Sequence, residues 1–246
     1  MPEVSFRLLH LDDQIAVIDK PSGWLVHPSP IDRGETRVVL QALRNQLGKP
    51  VYPLHRLDKP TSGVLAFALT SEAAQAFGPC FESGQGIRKT YRAVVRGWPD
   101  HEGLIDHPLA RMPDDFTPQR EASLPAQTHF RTLRCGVLPI AQGRYPQIRI
   151  AEIEVEPLTG RRHQIRRHMK HLAHPVIGDS THGKGPLNRM VADHLGAARL
   201  WLHASALEIR PPGAAGPLRF EAAPGPEWAL WEPYYRPACD TNLTLR

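Results

Sequence analysis

Apolar positions along this chain fall mostly into short alternating or continuous runs closed by turn residues, and only two stretches repeat at helical spacing. Gln14 to Asp19 (QIAVID) predicts a short strand ended by the Lys20-Pro21-Ser22-Gly23 turn. Gly63 to Leu69 (GVLAFAL) is continuously apolar, the pattern of a strand covered on both faces. Lys89 to Arg96 sets Tyr91, Ala93 and Val95 on one side, with Thr90, Arg92, Val94 and Arg96 on the other. In Ala151 to Glu156, Ala151, Ile153 and Val155 alternate with three glutamates, a pattern that predicts a half-buried antiparallel strand. Leu200 to Ile209 and Leu218 to Ala222 read as late strands. A helix is expected over Thr36 to Leu47, with Val39, Leu43 and Leu47 at i, i+4, i+8, Thr36 as cap and Gly48 as stop. A second follows Thr159-Gly160, with Ile165, Met169 and Leu172 inward. Leu109 to Pro125 and Gly178 to Leu187 read as loops. The expectation is an α+β fold: one domain over residues 1–223, a mainly antiparallel mixed β-sheet flanked by helices and loops, and a tail over 224–246 docked on the core.

Composition narrows the function classes. The 246 residues are 41% hydrophobic and 22% charged, enough apolar material for a sizeable core and too much for global disorder. No apolar run approaches the ~18 residues of a membrane span, and the first residues lack the pattern of a signal peptide, so no membrane is expected. Cys80, Cys135 and Cys239 are few, odd in number and far apart, which predicts neither a disulfide framework nor a paired metal motif and suits a reducing cytoplasm. The formal net charge is +5. Its distribution says more than its sum, because GRRHQIRRHMK at Gly160 to Lys170 holds Arg161, Arg162, Arg166, Arg167 and Lys170 and no acid. Such a field attracts phosphates, although a solvated helix face has the same composition.

The segment richest in chemistry is HRLDKPTSG, His55 to Gly63. It sets Asp58 in a tight loop at the mouth of a buried strand, where a carboxylate can be rigid and still reach a ligand. An aspartate before a proline can equally serve only to cap its own turn.

HRLDKPTSG resembles the signature of the RluA-type pseudouridine synthases, HRLDxxTSG. Further blocks resemble the same family in the same order: DKPSGWLVHPS at Asp19 to Ser29, RKTYRAVVRG at Arg88 to Gly97, PLTGRRHQIRRHMKHLAHPVIGD at Pro157 to Asp179, and RLWLHAS at Arg199 to Ser205. The resemblance runs from about Asp12 to Ala222. It implies an isomerase that detaches uracil from ribose, turns it and rejoins it through carbon 5, with no cofactor and no metal. Asp58 matches the family's essential aspartate, which attacks the anomeric carbon or takes a sugar proton; both routes stay open. Arg166 matches the arginine that pairs with that aspartate, and Tyr91 the tyrosine that stacks on the base. Arg56 is expected beside the flipped nucleotide and Leu202 in the base pocket. Arg162, Arg166 and Lys170, at i, i+4, i+8, are expected to share a helical face toward RNA. GWLVHPSPIDRGET, LRNQLG at Leu43 to Gly48, the doubled arginine of QIRRH and GDSTHGKGPLNR resemble a branch of the family that acts on uridine 65 in the T stem of certain tRNAs. The partner implied is thus tRNA, with ribosomal RNA as the alternative substrate and a catalytically silent RNA-binding protein as the alternative activity. A cytoplasmic monomer with no obligate protein partner is expected.

Two other chemistries are disfavoured. His163, His168, His171 and His174 cluster, but no cysteine or carboxylate joins them at ligand spacing and Pro175 ends the helix. Ser22 and Ser62 lie in no GxSxG elbow. His55 and His203 are expected to be hydrogen-bonded core groups. An N-terminal S4-type module is not expected, since the first matching block begins by about Asp12. The aromatic tail, with Trp228, Trp231, Tyr234 and Tyr235, reads as a docking segment, with RNA stacking as the other use.

Overall fold

The structure, a computed structural model, describes residues 5–28, 34–112, 123–211 and 216–236. The fold is α+β, with a mainly antiparallel mixed β-sheet. The chain divides into two compact units interleaved in sequence: residues 1–90, 110–122 and 203–223 form the first, and 91–109, 123–202 and 224–246 the second.

In the first unit, strands β1 (Arg7–Leu11), β2 (Ile15–Lys20) and β4 (Ser62–Ala68) pair antiparallel in that order, and the two-residue β3 (Tyr52–Pro53) pairs with β4. Strand β5 (Ile87–Arg96) gives its first four residues to this unit and the rest to the other. Strand β9 (Leu202–Ile209) joins β4 in parallel, with Ser62 opposite His203 and Gly63 opposite Ala204, and β10 (Leu218–Glu221) closes antiparallel on β9. Every residue of β4 is buried, as its unbroken apolar run requires. Gly63 adopts φ +111, and a Cβ there would lie 2.1 Å from the Ala204 carbonyl oxygen, so only glycine permits this pairing. Helix α1 (Val39–Leu47) stops at Gly48 in the left-handed region, and helix α2 (Ser71–Ser83) is capped by Thr70. Ile15, Val17, Val64, Ala66, Phe77, Leu207 and Phe220 share one core.

The second unit is antiparallel throughout. The later part of β5 pairs with β8 (Ile148–Pro157), β8 with β7 (Gln127–Leu138), and β7 with β6 (Glu102–Asp106). Helices α3 (Gln164–His171) and α4 (Gly185–Leu195) and a 3-10 segment at Pro226–Tyr234 complete it. Its core joins Val94, Ile150, Ile177 and Val191 to three indoles. Trp201 packs edge-on against both Trp228 and Trp231, at 5.6 and 5.2 Å between ring centres.

Several departures from expectation have plain causes. Helix α1 starts at Val39 rather than Thr36, because Val38 is held extended by a bridge to Leu25. Helix α2 carries no clear helical period in its sequence, because Gly78 and Pro79 interrupt it. The loop expected to run to Leu187 becomes α4 from Gly185. Strand β7 hid because threonine supplies inward positions at Thr128 and Thr132. Of the glutamates read as the solvent side of β8, Glu152 is fully buried and receives N–H groups from Arg92 and Arg134. Cys80 is a free thiol. Cys239 and the rest of the tail beyond Arg236, the loop residues 113–122, and residues 29–33 of the GWLVHPSPIDRGET stretch lie outside the described residues.

Candidate active site

In the first unit, Asp58 stands half-buried at the start of a turn that its backbone carbonyl closes by accepting the Thr61 N–H at 3.0 Å. Leu57 beside it is buried and anchors the loop, while Arg56 on the other side of Leu57 is exposed. The turn is tied to the loop after β2 from several directions. Lys20, fully buried, donates from Nζ to the carbonyls of Pro21, Trp24 and Lys59 at 3.0, 2.9 and 3.2 Å. Gly23 N–H also donates to the Lys59 carbonyl, and the Ser22 hydroxyl to that of Pro60. Lys59 in turn reaches Glu35 at 2.8 Å. Hydrogen bonds from Lys59 and from the Arg37 N–H hold the Glu35 carboxyl down at about 2. Hydrogen bonds onto backbone carbonyls thereby fix the course of the turn that carries Asp58.

Two histidines of this unit, His55 and His203, are packed inside it. His55 stacks flat on Phe81 at 5.2 Å, and its Nε2 accepts the Ala66 N–H. Burial, with the Lys89 charge adding, brings its imidazole down to about 3, so it is neutral at pH 7. His203 Nε2 faces the Ala222 carbonyl, which can only accept. His203 therefore carries its proton there, and Nδ1 accepts the Ser62 hydroxyl at 2.9 Å. Ser62 and His203 form a buried pair whose outer partner is a carbonyl, not a hydrolase triad.

In the second unit, Tyr91 is buried on β5 opposite Val155, and Leu202 is buried at the first position of β9. Helix α3 is placed by Gln164. Its amide donates to the Gln127 carbonyl and the Thr128 hydroxyl, and its carbonyl oxygen accepts from the Thr159 hydroxyl and the Arg161 N–H. Arg166, only 3% exposed, directs Nε and Nη2 at the two carboxylate oxygens of Asp179, both at 2.8 Å. Thr181 and His182 add backbone N–H groups to the same carboxylate. Burial alone would push the Asp179 carboxyl up, but these donors outweigh it and hold it below the usual range.

The basic stripe is not one open face. Arg162 lies half-buried in the turn before α3, Arg166 is buried, and Lys170 is exposed. His168 spends Nε2 on the His107 carbonyl and Nδ1 on the Thr128 hydroxyl, which leaves it no nitrogen for a metal. Among the described residues, no three His, Cys, Asp or Glu side chains are arranged to hold an ion. Tyr91, Arg166, Arg162, Lys170 and Leu202 thus fall in one unit, and Asp58 and Arg56 in the other. Sequence reasoning missed Asp179 and Gln164, although both stand in the arginine-bearing block; an aspartate after glycine in a loop carried no sign of its distant partner.

Residues 14–171 match the model of a family described as RNA pseudouridylate synthase. The chain is similar to the tRNA pseudouridine synthase C of Pectobacterium carotovorum, with 46% identity over 226 residues that span 90% of this chain and 60% of that protein. It is 44% identical to the protein of the same name from Vibrio cholerae, over 90% of this chain and 92% of that one. Among solved structures it is similar to Human RNA Pseudouridylate Synthase Domain Containing 1, with TM-score 0.69, 25% identity, and coverage of 90% of this chain and 84% of that one. Human RNA Pseudouridylate Synthase Domain Containing 4 shares the fold at TM-score 0.67 and 24% identity, over 91% of this chain and 90% of that one. Among the described residues, no helix is long and apolar enough to cross a membrane.

Proposed function

The chain belongs to the RNA pseudouridylate synthase family, and on that premise we propose that its substrate is a transfer RNA, in which it converts one uridine, at position 65, to pseudouridine. The observation that carries the tRNA reading is the similarity, over nine-tenths of the chain, to proteins named for tRNA. The reaction moves a glycosidic bond from nitrogen 1 to carbon 5 of uracil, gives the carbon 5 proton to solvent and leaves nitrogen 1 with a proton in its place. It consumes no oxidant, reductant or water, and the reading assigns it no cofactor, no obligate protein partner and a monomeric enzyme in the cytoplasm.

In this reading Asp58 is the carboxylate that attacks the anomeric carbon or takes the sugar proton. Tyr91 stacks on the uracil, and Arg166 supplies positive charge to the carboxylate. A guanidinium suits that task because its charge is spread over a planar group, so an arginine bound through Nε and Nη2 to Asp179 still carries donors on its other edge. Arg56 fills the space that the extruded nucleotide vacates, Leu202 lines the base pocket, and Arg162 and Lys170 contact phosphates. Extruding a base from a stem costs a few kcal/mol, which phosphate contacts and stacking offset.

The test is tritium release from tRNA and ribosomal RNA transcripts labelled at carbon 5 of uridine, with the chain alone. Release from tRNA only, with the modified position mapped to uridine 65, supports the reading. Release from ribosomal RNA only moves the substrate, and no release from either removes the activity. Asp58→Asn is expected to lower the single-turnover rate by more than about 1000-fold, some 4 kcal/mol of transition-state stabilisation, with RNA affinity unchanged. A variant turning over near the wild-type rate would refute the role of Asp58.

A further inference from the structure

Resting on that reading, we infer that Asp179 is a positioning residue for the reaction: it sets the plane of the Arg166 guanidinium. Two parallel bonds to Asp179 fix the guanidinium in rotation as well as in place. Because the group is planar, the edge bearing Nη1 is then held in the same plane, directed away from Asp179. A single contact from a helix side chain would leave that edge free to swing.

The carboxylate is itself held from behind. The N–H groups of Thr181 and His182 meet Oδ1 at 2.9 and 2.8 Å. Asn188 on α4 clamps the backbone of the same turn, accepting the Gly178 N–H and donating to the Asp179 carbonyl. Gly178 adopts φ +80, and a Cβ there would sit 1.7 Å from the Arg199 carbonyl oxygen, so the turn has one backbone path. The chain Asn188, Asp179, Arg166 thus runs from a helix through a rigid turn to the guanidinium. Stability alone does not call for such a construction, since a buried ion pair is commonly matched by well-packed apolar side chains of similar volume. What an apolar substitute lacks is orientation.

The experiment compares Asp179→Asn and Asp179→Glu with wild type in single-turnover tritium release at saturating tRNA, alongside RNA affinity and thermal melting. Asp179→Asn removes the charge. Asp179→Glu keeps the charge but displaces the carboxylate by one methylene, a shift of the size that costs up to about 100-fold when it misaligns a reacting group. The expected losses of rate are about 100-fold for asparagine and about tenfold for glutamate, with tRNA affinity within about threefold of wild type in both. Phe77→Ala, which opens a gap in the core of the first unit and touches no member of the Asn188–Asp179–Arg166 chain, controls for lost stability and is expected to keep the rate within about threefold. The inference is overturned if the glutamate variant turns over within about threefold of wild type, if rate and affinity fall in step, or if Phe77→Ala loses as much rate at the same melting temperature. Should Asp179→Asn not fold, Asp179→Glu decides alone. A silent wild type would instead remove the activity reading, and this inference with it.

Discussion

In the first unit Lys20 is fully buried and spends its ammonium on three backbone carbonyls, whereas in the second Arg166 is nearly as buried and spends two N–H groups on one carboxylate. The ammonium is a compact point charge with donors that turn to suit, so it gathers carbonyls from separate loops and fixes the course of the chain. The guanidinium is a flat fork, so its partner fixes an orientation. One cation shapes the turn that carries Asp58. The other is shaped by its partner and kept in a single pose. Burying a charge is therefore two different devices in this molecule, and the chemistry of the cation decides which.

The largest effect is expected from breaking the first device. Lys20→Met keeps the volume but leaves three carbonyls without this donor, at about 1 kcal/mol each, so stability by urea unfolding should fall by about 3 kcal/mol. A loss below about 1 kcal/mol would mean that the cage is not what holds the turn. Next comes an exchange of cation type. Arg166→Lys keeps the charge but cannot make the fork, and its single-turnover rate should fall about 30-fold, or 2 kcal/mol, with tRNA affinity retained. A lysine variant at the wild-type rate would show that charge alone suffices.

The smallest effect separates both devices from a buried base kept neutral. The imidazole of His55 is depressed to about 3. The unfolded chain therefore binds the proton first, and the stability that neutral His55 contributes is complete above the ordinary histidine value of about 6.5. It is lost as pH falls toward 3. Between pH 7 and 5.5 the loss should be about 1 kcal/mol, read from urea midpoints, and His55→Gln should flatten the profile there. Equal slopes in the two proteins would count against it. Asp179 does not add to this slope. Its carboxyl is held below the ordinary range, so its contribution is present above about pH 4 and lost only as pH falls further.

Local signals carried much of the architecture. The apolar run of β4, the turn at Asp58 and the glycine stop of α1 are written in neighbouring residues, and reading them needs no distant partner. The α+β class followed from the same signals, as did the RNA pseudouridylate synthase family through its ordered blocks. What stayed hidden depends on contacts far apart in sequence. Glu152 shares its alternation with Glu154 and Glu156, and nothing nearby says that Arg92 and Arg134 will meet it in the interior. The bond from Arg166 to Asp179 spans 13 residues and a change of element, so helical spacing grouped Arg166 with Arg162 and Lys170 instead. Threonines at the inward positions of β7 made a buried strand look polar.

The trio of indoles has a practical consequence. Four of the five tryptophans, Trp98, Trp201, Trp228 and Trp231, belong to the second unit, and Trp24 alone belongs to the first. Ultraviolet emission is therefore weighted toward one half of the molecule, while far-ultraviolet dichroism sees both. The chain carries its own optical label, and denaturation curves recorded by the two signals will separate wherever the halves come apart one at a time.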